Sequence, residues 1–420
     1  MKARIFLRIT LLFSITLFSA YSFIKIPVLT QGFAAYYTFS RMLIEGDDLS
    51  KAYDFDYFNS KVKQYGFINI ADMPNNLPTN SLVISFLAWL EPKTAKIIWG
   101  IMSILFLTLS ALLLLKLFEI NFRDNLWLIF ASFFFMFYPV YQCIALGQIY
   151  LFLLFLFTAS LYFIKQSKEI FAALPVSLAF IFKGYGFLIS LWFMVRKNYK
   201  SFLAFTIITL SILLVSIPVL GYETWVSFYK VIPSVFLQSP SSSNTAYQTI
   251  GGFIKHLFVF DEKWNLYPVT DIPHNFVFIF AAIINLAFVI WILIRTVKAK
   301  NNILVLLSYS AVLGVSVITA PMAEEYHYVL FIPLIIGLGK ILFGSIKNNG
   351  GSLKFYRIFY VISAIVLAIP LNYKLLQDSK LPLIFLAYPK LYAGIILIIL
   401  FLFFVRRKDI VILLPAEKKP

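Results

Sequence analysis

The amino-acid sequence predicts an all-α membrane protein that crosses the bilayer about ten times. Hydrophobic residues make up 61% of the 420 residues, charged residues make up only 13%, and the mean hydropathy is +0.86. A soluble chain is closer to half apolar and a quarter charged. Many apolar runs also approach the length of about 20 residues that a membrane-spanning helix needs. We therefore predict a single integral membrane domain over residues 1–420, without an appended soluble domain.

The apolar runs define ten predicted spans. They lie at 6–26, 95–115, 125–143, 148–164, 201–220, 275–294, 303–320, 327–344, 356–372 and 391–405. The first follows a basic start, as a signal peptide does, but it has no clear small-residue cleavage site and many spans follow it. We interpret it as an uncleaved first helix.

A further apolar stretch at 169–195 is broken by the sequence Lys-Gly-Tyr-Gly at 183–186. Basic residues flank it on both sides, with Lys165 and Lys168 before it and three more within 196–200. We predict a hairpin of two short helices that enters and leaves on one side of the membrane. A broken helix is tolerated in a bilayer only where protein or a water-filled cavity surrounds it.

The net charge of +17 has a sided distribution. If the N-terminus is cytoplasmic, the excess of Lys and Arg falls on the cytoplasmic segments, as the positive-inside rule requires. The charge is then a topology signal, and we expect no nucleic-acid partner. Both termini are predicted to be cytoplasmic in the inner membrane, and the two long hydrophilic segments, 27–94 and 221–274, are predicted to lie outside.

The first outer segment contains two predicted interfacial helices. Residues 32–46 carry an apolar stripe of aromatic residues at helical spacing, which predicts a helix along the membrane surface. Residues 53–67 are similar, and their tyrosines suit the interface.

Neither the acidic motif at 54–56 nor the single cysteine indicates a metal site. The sequence Asp54-Phe55-Asp56 matches the D-x-D of nucleotide-sugar enzymes, but no nucleotide sugar is available outside the membrane, and short motifs often occur by chance. Cys143 is the single cysteine, which excludes an intramolecular disulfide and a multi-cysteine metal site. We expect no metal and no cofactor.

Four ionisable residues stand out among apolar runs. Lys183 lies inside the broken hairpin, where a lysine costs about 2.5 kcal/mol or more unless it has a partner or a wet cavity. A ligand phosphate, an internal carboxylate or the interface would each serve. Glu324 and Glu325 begin a helix, where carboxylates favour the positive end of the dipole. That does not explain His327, one turn from Glu324.

Six segments, in order, resemble glycosyltransferase family 87, the polyprenol-phosphate-mannose-dependent mannosyltransferases of the GT-C superfamily. They are Tyr36-Tyr37 with Gly46 and Tyr53-Asp54; Asn76-Leu77-Pro78 with Trp99; Gly147-Gln148; Lys183; Asn244 with Thr249 and Gly251-Gly252; and Ala320-Pro321 through His327. Three positions depart from the family pattern: Tyr150 stands in place of an asparagine, Gly186 in place of a proline and Gly32 in place of an aspartate. The resemblance implies a GT-C-like helical bundle.

The resemblance also implies roles for individual residues. Lys183 and His327 would bind the donor phosphate, and the substrate-binding set would be Gln148, Tyr36, Tyr37, Asn244 and Glu325. The family aspartate that acts as base corresponds to Gly32, so another carboxylate is needed. The candidates are Glu324, Asp54, Asp47 and Asp48. Glu324 is favoured, because on a helix it shares a face with His327.

The implied function is transfer of a mannose-like hexose from a polyprenyl-phosphate donor to a lipid or glycan acceptor on the outer face of the cytoplasmic membrane. Membrane lipids are the other expected partners. Two alternatives stay open. A transporter or flippase for a lipid-linked glycan also fits ten spans and a central lysine, although no inverted repeat is visible. A catalytically retired member of the same fold would explain the missing aspartate.

Overall fold

The structure is a computed structural model that describes residues 2–73, 76–236, 243–344 and 353–406. These residues form α-helices and short 3₁₀ segments, with no β-strand among them. The predicted all-α class is confirmed. The predicted cytoplasmic C-terminus falls on residues 407–420, which lie outside the described residues.

Seventeen α-helices follow one another in the described part of the chain. They are α1 (Lys2–Lys25), α2 (Gln31–Glu45), α3 (Phe55–Gln64), α4 (Pro92–Leu117), α5 (Asn125–Met136), α6 (Tyr138–Leu146), α7 (Tyr150–Lys165), α8 (Glu169–Lys183), α9 (Gly186–Val195), α10 (Tyr199–Leu220), α11 (Tyr222–Phe236), α12 (Ile250–Phe258), α13 (His274–Thr296), α14 (Asn302–Ile318), α15 (Ile332–Gly344), α16 (Lys354–Ala368) and α17 (Pro389–Arg406). Two 3₁₀ segments matter for the site, Pro78–Leu87 and Glu325–Phe331.

Seven helical stretches of the described residues are long and apolar enough to cross a bilayer: α1, α4, α5 with α6, α10, α13, the Glu325–Phe331 segment with α15, and α17. The chain is therefore a multi-pass membrane protein. Each of the ten predicted runs falls on a helix, but α7, α14 and α16 have only 16, 17 and 15 residues. Because α14 is almost wholly buried, it contacts protein and need not match the bilayer thickness.

The predicted hairpin is present as α8 and α9. Lys183 ends α8, and Gly184 follows with a φ of 77°, a left-handed conformation that favours glycine. At Gly186 a Cβ atom would collide with the backbone oxygen of Val176 and approach Cβ of Phe180 to 2.8 Å. Glycines at these two positions let α9 pack back against α8, and they leave Lys183 at the break.

The helix predicted over 32–46 exists as α2, but protein covers it on all sides. Every residue from 32 to 40 is buried. The Ser40 hydroxyl donates a 2.7 Å hydrogen bond to the backbone oxygen of Ser81, which joins α2 to the Pro78–Leu87 segment. Protein therefore covers this part of α2, including the face that carries the aromatic residues.

The segment 27–94, which we name the first outer segment after its predicted location, is anchored to α8 beside the break in the hairpin. The Thr79 hydroxyl donates a 2.6 Å hydrogen bond to the backbone oxygen of Ile181. The Tyr53 hydroxyl donates to the backbone oxygen of Asn76 at 3.2 Å. These contacts bring the 70–80 region of the outer segment next to Lys183.

Candidate active site

Two adjoining cavities lie between the first outer segment and the ends of α6, α8 and the Glu325–Phe331 segment. The larger, of about 500 Å³, has mostly apolar walls that include Leu77, Phe180, Phe187, Leu188, Phe228 and Met322. The smaller, of about 250 Å³, has a more polar lining that includes Gln31, Asp72, Asn76 and Gln148. We name them the apolar cavity and the polar cavity. Their shared wall contains Lys183, Tyr247, Glu324 and Tyr326.

Lys183 has a neutral partner. Its Nζ donates a 2.5 Å hydrogen bond to Oδ1 of Asn76, and it lies 5.7 Å from the centre of the Tyr36 ring. The charge of Glu324 is near enough to act on it. Among the described residues no carboxylate forms a salt bridge with Lys183. The ammonium therefore faces both cavities without a directly bound counter-ion.

Glu324 and His327 lie together on one wall. Glu324 precedes the 3₁₀ segment, in which residues three apart share a face. Nδ1 of His327 lies 3.1 Å from the backbone oxygen of Glu324, and because a carbonyl only accepts, this nitrogen carries the hydrogen. The ring packs 4.2 Å from Tyr150 and 4.5 Å from Tyr326, measured between ring centres.

Burial is the main influence on the pKa of the Glu324 carboxyl. Burial raises its pKa, which a hydrogen bond with Tyr326 and the nearby charge of Lys183 oppose. It contributes to both cavities. A carboxyl in this position is suited to take up a proton during a reaction.

Gln148 lines the polar cavity from the turn between α6 and α7. Gly147 ends α6 in a left-handed conformation, and the Tyr36 hydroxyl donates a 2.7 Å hydrogen bond to Oε1 of Gln148. A Cβ atom on Gly32 would lie 2.6 Å from Nε2 of Gln148 and 2.7 Å from the backbone oxygen of Leu146. Gln148 thus fills the space that a side chain at position 32 would need.

The turn that carries Gln148 is fixed from α4. The buried Lys96 donates hydrogen bonds to the backbone oxygens of Ile144 and Ala145, at 2.9 and 3.3 Å. The Trp99 indole donates to the backbone oxygen of Gly147 at 3.1 Å. These donors satisfy carbonyls that the end of a helix leaves unpaired.

A family model described as glycosyltransferase family 87 matches residues 77–321, more than half of the chain. The chain belongs to glycosyltransferase family 87. It is therefore a membrane glycosyltransferase, which uses a sugar donor and an acceptor. No curated protein and no solved structure matches the chain. The matched region contains Gln148 and Lys183, and it ends before Glu324.

Glu325 in this family 87 glycosyltransferase points away from both cavities. It is 1% exposed and forms an ion pair with Lys390 of α17, which is also buried. Lys390 further donates to the backbone oxygens of Leu367 and Ile369 at 3.0 and 2.9 Å. This pair joins the wall that carries Glu324 to the last helix.

Two other residues in the predicted substrate-binding set of the family 87 enzyme lie outside the cavity walls. The Tyr37 hydroxyl donates a 2.6 Å hydrogen bond to the backbone oxygen of Leu90. The Asn244 side chain accepts from the backbone nitrogen of Ala246 at 2.9 Å. The turn that Asn244 stabilises brings Tyr247 into both cavities.

The three aspartates that the sequence offered as first-loop bases have local structural partners. Asp47 forms a 2.6 Å ion pair with Lys61. Asp48 and Asp54 accept hydrogen bonds from backbone nitrogens at the starts of the next helical segments, at 3.0 and 2.8 Å. None of the three contributes to either cavity wall.

Asp72 is a cavity carboxylate of the family 87 enzyme that sequence reasoning missed. It lines the polar cavity, and burial raises its pKa. No motif surrounds it, since it stands alone between Ala71 and Met73. In the sequence, only its position a few residues before Asn76 connects Asp72 with a segment that resembles the family.

Proposed function

We propose that this family 87 enzyme transfers a mannose-like hexose from a polyprenyl-phosphate donor to a lipid or glycan acceptor on the outer face of the cytoplasmic membrane. One observation carries the proposal: Lys183 lies in the wall shared by an apolar cavity and a polar cavity. A polyprenyl-phosphate sugar has its parts in the same order, with an apolar chain, an anionic phosphate and a hydroxyl-rich ring.

The donor lipid would enter the apolar cavity, and its phosphate would bind Lys183. Phe187 in this wall is 50% exposed, which gives the cavity an apolar rim. The Lys183 ammonium has three N–H donors, so it can donate to the phosphate while it keeps its hydrogen bond to Asn76. His327 would bind the phosphate through Nε2 once that nitrogen is protonated.

The chemical step is a displacement at the sugar carbon C1. The acceptor hydroxyl oxygen forms a bond to C1 while the bond from C1 to the phosphate oxygen breaks, and its electron pair leaves with the phosphate. The hydroxyl proton passes to the Glu324 carboxylate, which contributes to both cavities and so lies where donor and acceptor would meet. The charge of Lys183 stabilises the charge that develops on the phosphate, and such electrostatic stabilisation is usually the largest contribution.

The remaining polar residues fit supporting roles in this proposal. Gln148 and Tyr36 form part of the polar cavity and would contact sugar hydroxyls. Three residues would support the cavity walls without contacting the substrate: Tyr37, Asn244 and Glu325.

The test is transfer by the purified protein in liposomes. Polyprenyl-phosphate mannose labelled in the sugar is supplied with a total membrane extract as acceptor source, and release of label from the donor is measured. We expect release with this donor and none with GDP-mannose. Lys183→Ala should lower the rate about 10²–10³-fold. Lys63→Ala, which removes an exposed lysine of the first outer segment, is the matched control. Release from GDP-mannose alone would reject the proposal.

A further inference from the structure

One of the four residues in the wall between the two cavities has no role in the proposed chemistry. Lys183 would bind the phosphate, Glu324 would take the proton, and Tyr326 forms a hydrogen bond with Glu324. Tyr247 is the fourth residue, and it lines both cavities. Among the described residues, none forms a hydrogen bond with its hydroxyl group. This hydroxyl is therefore available to a ligand.

The backbone around Tyr247 holds it beside the opposite part of the wall. Its nitrogen donates a 3.0 Å hydrogen bond to the backbone oxygen of Asn244. The next residue, the buried Gln248, donates from its backbone nitrogen to the backbone oxygen of Ala323, also at 3.0 Å. Because Ala323 immediately precedes Glu324 in the chain, these bonds fix Tyr247 next to the residue that would act as base.

Gln248 is itself held through its side chain and its backbone oxygen. Its Nε2 donates to the backbone oxygen of Ala387 at 2.8 Å, and its Oε1 accepts from the backbone nitrogen of Lys390 at 3.2 Å. The Tyr328 hydroxyl donates to its backbone oxygen. The position of Tyr247 is therefore set by the packing of the protein before a ligand binds. Donors that are positioned in advance in this way stabilise a transition state without reorganising during the reaction.

The surroundings of Tyr247 keep its hydroxyl protonated. Burial raises the pKa of Tyr247, and the charges of Glu324 and Asp72 raise this pKa further. The group therefore remains an O–H donor at every pH at which a glutamate acts as base. Both carboxylates line the polar cavity, so the end of the ring that they influence lies where the phosphate and the sugar would meet.

We propose that Tyr247 is a further catalytic residue, which donates a hydrogen bond to the phosphate that leaves C1 of the sugar. The inference rests on the proposed function for the identity of the donor, and it adds a second phosphate-binding group to Lys183. As the bond from C1 to the phosphate oxygen breaks, its electron pair stays on that oxygen, and the negative charge of the phosphate increases. Tyr247 keeps its proton throughout. Its hydrogen bond strengthens as the charge on the acceptor grows.

Polyprenyl phosphate carries the leaving group alone, so it tests this contact without transfer. The protein in nanodiscs is titrated with it, and phosphorus NMR follows the bound phosphate as the pH is changed. We expect Tyr247→Phe to weaken binding about tenfold or more, as for loss of a hydrogen bond to a charged group. The pKa at which the bound phosphate becomes a dianion should rise, because the hydroxyl stabilises the dianion. Tyr222→Phe changes an exposed tyrosine of the segment 221–274 and should match the parent.

Transfer provides a second measurement. In a single turnover at saturating donor, Tyr247→Phe should lower the rate at least about tenfold, and Tyr222→Phe should leave it unchanged. The phosphorus signal of the bound ligand comes only from folded protein, so a loss of folding cannot imitate the change in the pKa of the phosphate.

The two proposals fail in different ways. Parent-like binding and a parent-like phosphate pKa in the Tyr247→Phe protein would overturn the role of Tyr247. If Lys183→Ala loses binding in the same experiment, the proposed donor still stands. If the parent protein does not bind polyprenyl phosphate, the proposed donor is rejected, and the role of Tyr247 is rejected with it.

Discussion

The Lys183 ammonium donates a 2.5 Å hydrogen bond to Oδ1 of Asn76, which joins the break between α8 and α9 to the first outer segment. The same oxygen accepts a hydrogen bond from Nδ2 of Asn80, also at 2.5 Å. One amide oxygen therefore holds the lysine head group at the wall between the two cavities. Because Asn76 is neutral, it orients the charge without cancelling it.

Replacing Asn76 should therefore impair use of the donor. Asn76→Leu removes the acceptor that orients Lys183, and we expect kcat/KM for the polyprenyl-phosphate donor to fall about tenfold or more, as for loss of a hydrogen bond to a charged group. Asn76→Asp should instead raise the donor KM, because a carboxylate would compete with phosphate for Lys183. Asn121→Leu, at an exposed position, is the control. Unchanged donor kinetics in both Asn76 variants would contradict this role.

Glu324→Gln should lower transfer about 10²–10⁴-fold, the usual contribution of a general base. Glutamine keeps the size and the hydrogen bonding of the side chain but cannot take the proton. The measurement is the single-turnover rate at saturating donor. If the variant stays within a few-fold of the parent, the base is another carboxylate of the first outer segment.

The acidic limb of the rate–pH profile should lie above the range of an exposed glutamate, whose pKa is about 4.3. Burial raises the pKa of Glu324, so the carboxyl stays protonated, and inactive as a base, to a higher pH. The titratable groups that interact with it are Lys183, Tyr326, Tyr247 and Tyr36. Lys183→Met removes the charge that opposes the shift and should move the limb to still higher pH in the residual activity. A limb that moves to lower pH would contradict this assignment.

Lys390→Met should destabilise the protein by roughly 3–5 kcal/mol, because it leaves the Glu325 carboxylate buried without its cation. Denaturant unfolding in detergent measures the loss. The double variant with Glu325→Gln should recover part of it, since the uncompensated charge is then gone. Lys354→Met changes an exposed lysine and should have little effect. A double variant that is no more stable than Lys390→Met would argue against the ion pair as the cause.

Gly32→Ala should destabilise the protein by about 1–3 kcal/mol, the usual effect of adding atoms to a packed site. The new methyl group would meet Nε2 of Gln148 and the backbone oxygen of Leu146, and only the first can move easily. For the same reason Gly32→Asp should not raise transfer above the parent level, although the resemblance implies an aspartate at this position. Higher activity of Gly32→Asp in the liposome assay would show that the position still accepts a base.

Apolar run length and glycine position predicted the ten apolar helical runs and the broken hairpin, but not α11 and α12, which lie within the segment 221–274. The sequence around Lys183 also predicted a polar site at the break, because a charge inside a membrane protein needs compensation. The covering of α2 was missed. An apolar stripe shows that a face is buried, but it does not say whether lipid or protein buries it.

Long-range packing decided what the sequence left open in the candidate site. Helical spacing predicts that Glu324 shares a face with His327 and that Glu325 does not. It cannot predict the ion pair of Glu325, because Lys390 lies in a helix that is distant in the sequence. Asp72 has no surrounding pattern, and it becomes a cavity residue only because the Pro78–Leu87 segment and α8 bring that stretch of chain to Lys183.

The buried pair between Glu325 and Lys390 also has a consequence for biosynthesis. Lys390 is the second residue of α17, the last helix among the described residues, so the ribosome makes it after the other residues of the site. Until that helix inserts, the Glu325 carboxylate has no cation in the position where the finished protein provides one. The wall that carries Glu324 and His327 would then be completed only after α17 is made, and a chain truncated before α17 would lack the ion pair that joins this wall to α17.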